Sequence, residues 1–170
     1  MWARKVEFIE SARQLGVDKI YIVDEGQGID DSLAYDDYEY MVARIEAVIL
    51  SFETLYPGSS HKLISGRLER NIDGLRHPTH MASWDAAHNL RAQITDFRFY
   101  RCYEYTQESP TAERVVHLDA LWFEAKRRAL QEYMFFDPSH GRFALGYHSV
   151  QGLIDAAFND PREYMDRLRN

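Results

Sequence analysis

The stretch SLAYDDYEYMVARIEAVILSFETLY, from Ser32 to Tyr56, decides the fold class that we expect. Its apolar residues recur at alternating steps of four and three, namely Tyr38, Val42, Ile45, Ile49, Phe52 and Tyr56. This spacing is typical of an α-helix that lays one broad apolar face on a core. Asp30, Asp31 or Ser32 can cap the start of the helix, and Pro57-Gly58 ends it. The stretch therefore predicts one long amphipathic helix over about residues 32–56.

A second long helix is predicted over about residues 110–135. Ser109 can cap it, and Pro110 suits the first helical position because its ring already holds a helical φ angle. Apolar residues then recur on one face, at Val115, Leu118, Trp122, Ala125, Ala129, Tyr133 and Phe136. We expect the two long helices to pack against each other through their apolar faces.

Shorter segments complete the expected fold. Helices are predicted at residues 2–15, from Ser83 to about Phe97, from Ser149 to Phe158, and after Asp160-Pro161. Short β-branched or aromatic runs predict strands at residues 19–23, 61–65 and 142–147. Residues 97–105 alternate as in a strand, although a helix that continues to Thr106 stays open. We expect one globular domain over residues 1–170, of a predominantly helical α+β class with a small sheet, with an all-α bundle as the alternative.

Composition narrows the classes of function. The 170 residues include 20 Lys and Arg against 27 Asp and Glu, a formal net charge of −7, which disfavours nucleic acid and anionic membranes and suits a basic partner. Cys102 is the single cysteine, so no intramolecular disulfide forms and a reducing compartment, the cytoplasm, is expected. The sequence has no window of about 20 apolar residues and no signal peptide, so we expect a soluble protein.

Two tyrosine-rich segments are the candidate binding surfaces. Tyr and Arg are the side chains that anchor protein interfaces most often, and acidic residues beside them favour a basic partner. The candidates are Tyr35, Asp36, Asp37, Tyr38, Arg98, Tyr100, Arg101 and Tyr103. No catalytic motif of the common kinds is present. The leading hypothesis is therefore a small acidic protein that binds another protein, as an inhibitor, immunity or accessory factor. A second copy of the chain could also cover the wide apolar helix face.

A cluster of nitrogen and oxygen ligands suggests a different function. His77 and His80 lie close together in sequence, and Asp85 and His88, three residues apart, share one side of a helix. Imidazole and carboxylate together suit Zn²⁺ or Fe²⁺, and an open coordination position could activate water. The alternative hypothesis is a metal-dependent hydrolase, with a divalent metal as the one cofactor that we consider.

A third hypothesis rests on Arg70 and His77, which six residues separate. This pair resembles the Arg-x(4–6)-His motif of HEPN-type ribonucleases, which are helical proteins. The resemblance covers eight residues and implies that Arg70 and His77 would act on an RNA phosphodiester.

Overall fold

The computed structural model describes residues 2–23, 32–64, 74–108 and 110–168. The helices in these ranges are α1 (Trp2–Gln14), α2 (Leu33–Asp36), α3 (Tyr38–Leu55), α4 (Pro78–Leu90), α5 (Ala120–Gln131) and α6 (Leu145–Asn159). The strands are β1 (His61–Ile64), β2 (Phe97–Tyr100), β3 (Arg114–His117), β4 (Phe136–Asp137), β5 (Arg142–Phe143) and β6 (Arg162–Arg167). Glu104–Thr106 and Pro138–His140 form short 3₁₀ turns.

The strands form one small mixed sheet and one hairpin. The sheet has the order β1-β2-β6-β3, with β1 parallel to β2 and β2 antiparallel to β6. Strands β4 and β5 pair as an antiparallel hairpin, with Phe136 opposite Phe143. The prediction of a mainly helical α+β fold is confirmed, and the four-stranded sheet excludes the all-α bundle.

The chain divides into two compact units. The first unit comprises Met1–Tyr21 and His117–Arg162, and it holds α1, α5, α6 and the β4–β5 hairpin. The second unit comprises Ile22–Val116 and Glu163–Asn170, and it holds α2, α3, α4 and nearly all of the four-stranded sheet. The number of independently folding domains stays a prediction.

The first predicted long helix is interrupted at Asp37. This residue leaves the helical region, with φ −146° and ψ 80°, and divides the segment into α2 and α3. Its carboxylate accepts a hydrogen bond from the backbone N–H of Tyr40 at 3.1 Å, so it caps α3. An Asp side chain at a cap stabilises a helix start by about 1 kcal/mol, which makes this break favourable.

The second predicted long helix is shorter than expected at both ends. Asp119 caps α5 by accepting a hydrogen bond from the backbone N–H of Trp122 at 2.9 Å, and the helix ends at Gln131. Residues 114–117 form β3 instead, because β-branched Val115 and Val116 favour a strand. Within its own unit α3 packs against α4, and α5 packs against α1, while the packing of the two long helices on each other stays a prediction.

Several shorter predictions also need correction. Residues 19–23 are not in a strand, and Tyr21 and Val23 are exposed there. Helix α4 begins at Pro78 rather than near Ser83, and α6 begins at Leu145, with the kink at Val150 close to the predicted start. The final segment is β6 rather than a helix, because Tyr164 and Asp166 alternate into the interior with the period of a strand.

The core of the second unit lies between α3, α4 and the sheet. Ala82, Ala86 and Ala87 of α4 are fully buried, and their small side chains allow α3 to approach closely. Met41, Val42 and Ile49 bury the predicted face of α3 against them. Helix α4 lies between the parallel strands β1 and β2 in the chain. It also contacts α2. Trp84 contacts Phe99 with ring centroids 4.4 Å apart, which ties α4 to β2.

A buried network of charged side chains links strands and loops within the same unit. The Arg101 guanidinium, 7% exposed, donates to Asp166 at 2.5 and 2.9 Å and to Glu104 at 2.6 Å. The two carboxylates also accept backbone N–H groups, Glu104 from Thr111 at 2.6 Å and Asp166 from Glu113 at 2.9 Å. Burial opposes the charge on Arg101, but the bonds to Asp166 and Glu104 outweigh it and raise the pKa of the guanidinium.

The first unit has its own buried carboxylate. Glu7 of α1 is completely buried and accepts the backbone N–H groups of Leu145 and Gly146, each at 2.9 Å. It therefore caps the start of α6 from another helix, where a negative charge also meets the positive end of the helix dipole. Ala144, just before α6, has a left-handed φ of 51°, a strained conformation for alanine.

Two glycines of α6 offer a matched test of this packing. A Cβ at Gly146 would overlap Cδ1 of Tyr133, whereas a Cβ at Gly152 would meet nothing within 4 Å. We predict that Gly146→Ala lowers the free energy of unfolding by about 1–3 kcal/mol because the Tyr133 ring must move. Gly152→Ala should leave it unchanged or raise it by up to about 1 kcal/mol, since alanine favours a helix. Urea denaturation of both variants measures the difference, and equal effects would contradict the packing described here.

Candidate functional site

Four rings from three parts of the second unit lie in a row, which we call the ring row: Tyr35, His77, His80 and Tyr103. Tyr35 belongs to α2, His77 and His80 to the start of α4, and Tyr103 to the turn after β2. The Tyr35 and His77 rings meet edge to face with centroids 6.4 Å apart. His77 and His80 stack at 4.7 Å, and His80 is 6.4 Å from Tyr103.

The start of α4 explains why the two histidines stack. His77 is the residue before the helix, with an extended φ of −76° and ψ of 122°, and Pro78 takes the first helical position. A residue before proline avoids the helical region, so the helix begins here rather than earlier. His80 follows two residues after Pro78, on the first turn. The row therefore depends on one Pro-initiated helix start.

The ring row is exposed to solvent at the Tyr35 end, and acidic residues lie next to that end. Tyr35 is 67% exposed, while the other three rings are half-buried. Asp36 and Asp37 follow Tyr35 in the chain, and both are exposed. An exposed phenol ring with carboxylates beside it can contact a cationic side chain both through its π face and through charge attraction.

Tyr38 and Asp85 fix the helix pair behind this surface. The Tyr38 hydroxyl donates to Oδ2 of Asp85 at 2.7 Å, which joins α3 to α4. This hydrogen bond joins a predicted binding residue, Tyr38, to a predicted metal ligand, Asp85, and both roles stay predictions. Each side chain is half-buried, so this bond supports the orientation of α4.

The remaining predicted binding residues lie on or just after β2. Tyr100 is half-buried, and Arg98 pairs with Asp96 through hydrogen bonds of 3.2 and 2.7 Å. The Arg101 guanidinium is buried and donates to Asp166 and Glu104, so it is not part of the surface proposed below. The sequence pattern could not separate these residues, because alternating Arg and aromatic side chains are typical of either arrangement.

The four predicted metal ligands are divided in the structure. His77 and His80 are in ring contact, Asp85 is bonded to Tyr38, and His88 is exposed near the end of α4. Across residues 2–23, 32–64, 74–108 and 110–168, no three His, Cys, Asp or Glu side chains are placed to hold a metal ion. The metal site and the hydrolase activity stay predictions. Arg70 lies outside the described residues, so the ribonuclease hypothesis also stays a prediction.

Asp96 is a residue that the sequence did not single out. Its carboxylate accepts hydrogen bonds from Arg98, from the Ser60 hydroxyl and, at 3.1 Å, from Nη2 of Arg167. The Arg98 guanidinium, with help from Ser60 and Arg167, holds the pKa of Asp96 well below its usual range. No local signal could reveal this group, because Arg167 is 71 positions away in the chain.

The lowered pKa predicts how stability depends on pH. Because folding depresses the pKa of Asp96, its contribution is present at neutral pH and is lost as the pH falls below about 4. We predict that Asp96→Asn lowers the free energy of unfolding at pH 7 by about 1–2 kcal/mol, and that this difference shrinks at about pH 2. Urea denaturation over this pH range measures it. The exposed Asp18→Asn variant is the control, and a difference from wild type that did not change with pH would contradict the assignment.

No helix in the described ranges combines the length and the hydrophobicity that a membrane-spanning helix needs. No protein-family model, no curated protein and no solved structure matches the chain significantly.

Proposed function

We propose that this chain acts by binding another protein with a basic contact surface, as an inhibitor, immunity or accessory factor. The observation that carries this proposal is the ring row with its exposed end, Tyr35, beside Asp36 and Asp37. The ring row joins the tyrosine-rich segment that contains Tyr35 to the one that contains Tyr103. The proposed binding surface comprises Tyr35, Asp36, Asp37, His77, His80 and Tyr103.

The chemistry of these side chains suits a protein partner. Tyrosine presents a large ring with few rotatable bonds, so it loses little conformational entropy when a partner immobilises it. Contacts between the rings limit the motion of His77 and His80 before binding, which reduces the entropy cost further. The partner would contribute Arg or Lys side chains, since their cations can lie over a tyrosine ring and beside the carboxylates.

The overall charge supports the same class of partner. A formal net charge of −7 attracts basic proteins over a distance and disfavours nucleic acid, so association should be faster at low ionic strength. We further propose that the protein works in the cytoplasm, where its single cysteine stays reduced. Pairing with a second copy of the chain stays a separate prediction, because that copy would carry the same net charge of −7.

Photo-crosslinking at position 35 tests the surface directly. We predict that the chain with a benzoylphenylalanine at position 35 captures a basic protein from the native host, because this residue is exposed at the end of the ring row. The same substitution at Leu121, which is 70% exposed in the first unit, is the matched control. Capture of the same protein with equal yield at both positions, or no capture at position 35, would contradict the proposal.

Binding of the purified partner then tests the chemistry. Tyr35→Ala should weaken the affinity about tenfold, because tyrosine is enriched among the interface residues whose truncation costs more than about 1 kcal/mol. Asp36→Lys should mainly slow association, while Asp37→Asn removes a charge and keeps a side chain that can cap α3. Unchanged affinity in Tyr35→Ala and in Asp36→Lys would remove this surface from the interface.

A further inference from the structure

A cleft of about 480 Å³ in the second unit is lined by three arginines, Arg98, Arg114 and Arg167. They belong to β2, β3 and β6, which are neighbours in the sheet order β1-β2-β6-β3. Arg98 and Arg167 are directly opposite each other in the β2–β6 register. Like charges opposite each other on adjacent strands repel, so this arrangement requires an anion nearby.

The carboxylates of the protein meet this requirement in part. Asp96 bonds to both Arg98 and Arg167, and one carboxylate is shared between two guanidinium groups. Asp166 also lines the cleft, but Arg101 already occupies it. Glu113, another lining residue, accepts the backbone N–H of Arg167 at 3.2 Å. Arg114 is exposed, and among the described residues no carboxylate pairs with its guanidinium.

Several guanidinium N–H donors remain available in the cleft. Each guanidinium carries five of them. Within the described part of the chain, Arg98 uses two nitrogens on Asp96, Arg167 uses one, and Arg114 uses none. Three arginines can therefore surround one group that offers several acceptor oxygens. A tetrahedral phosphoryl group presents its oxygens in three directions, so it can accept hydrogen bonds from guanidinium groups on three different strands at once.

We propose that this cleft binds a phosphorylated small molecule, with its phosphoryl group between Arg98, Arg114 and Arg167. The volume exceeds that of a phosphate ion alone and lies in the range of small-molecule sites. Met165 and Leu168 line the same cleft and provide apolar contact for the rest of the ligand. The proposal concerns binding and is independent of the protein-binding surface at the ring row.

Titration calorimetry with inorganic pyrophosphate tests the site on the full chain in a phosphate-free buffer. The wild type should bind one pyrophosphate with a saturable heat. Arg114→Gln should weaken this affinity about tenfold or more, since it removes charge-assisted hydrogen bonds. Asp96→Asn should strengthen the affinity, because it releases N–H donors of Arg98 and Arg167. Opposite effects of these two variants would not follow from a general loss of folding.

Two controls make the result decisive. Arg128→Gln removes an exposed arginine of the first unit and should leave the affinity unchanged. Malonate, a small dicarboxylate, should bind at least tenfold more weakly than pyrophosphate if the site selects a phosphoryl group. Absence of saturable binding, an equal loss in Arg114→Gln and Arg128→Gln, or equal affinity for malonate would overturn the proposal. Amide resonances of Arg114 and Arg167 should shift on titration, and shifts elsewhere alone would also overturn it.

Discussion

The second unit depends on one buried cation, the Arg101 guanidinium. Removing a charge from water costs several kcal/mol, so Arg101 is stable inside only because Asp166 and Glu104 surround it with short hydrogen bonds. These carboxylates also bind the backbone of Thr111 and Glu113. The network therefore ties Glu104, after β2, to Thr111 and Glu113, before β3. Tyr103 directly precedes Glu104 and Arg114 directly follows Glu113, so one residue of each proposed site adjoins this network.

Local patterns predicted the elements whose signals lie close together in sequence. The apolar stripe of α3 follows from its period, and the strands predicted at 61–65 and 97–105 form at His61–Ile64 and Phe97–Tyr100, with a 3₁₀ turn at Glu104–Thr106 in the second segment. Three of the errors arose where an aspartate competed with the pattern. Asp37 and Asp119 each cap the start of a helix by accepting a hydrogen bond from a backbone N–H. The apolar pattern continues past both residues, so it does not predict that a helix begins there. Strand β6 was not predicted because one of its inward residues, Asp166, is charged and breaks the apolar pattern of a strand. Asp166 is buried only because Arg101, 65 positions away in the chain, pairs with it.

The residues of the candidate site were selected by type, but their grouping could not be predicted. Tyr35 and Tyr103 were expected at a protein interface, and His77 and His80 at a metal ion. The row that joins them requires α2, the start of α4 and the turn after β2 to come together, which only the packing of the second unit determines. In the same way, Arg98 drew attention as part of an aromatic segment, whereas its importance comes from Arg167 opposite it on β6.

The most direct test of this account is the free energy of unfolding of Arg101→Met, measured by urea denaturation beside Arg114→Met. Methionine keeps much of the length of the arginine side chain but leaves Asp166 and Glu104 buried without their cation. We predict that Arg101→Met lowers the free energy of unfolding by about 3–5 kcal/mol. The exposed Arg114→Met should change the free energy of unfolding by no more than about 0.5 kcal/mol. Equal stability of both variants would contradict the claim that the buried guanidinium holds the unit together.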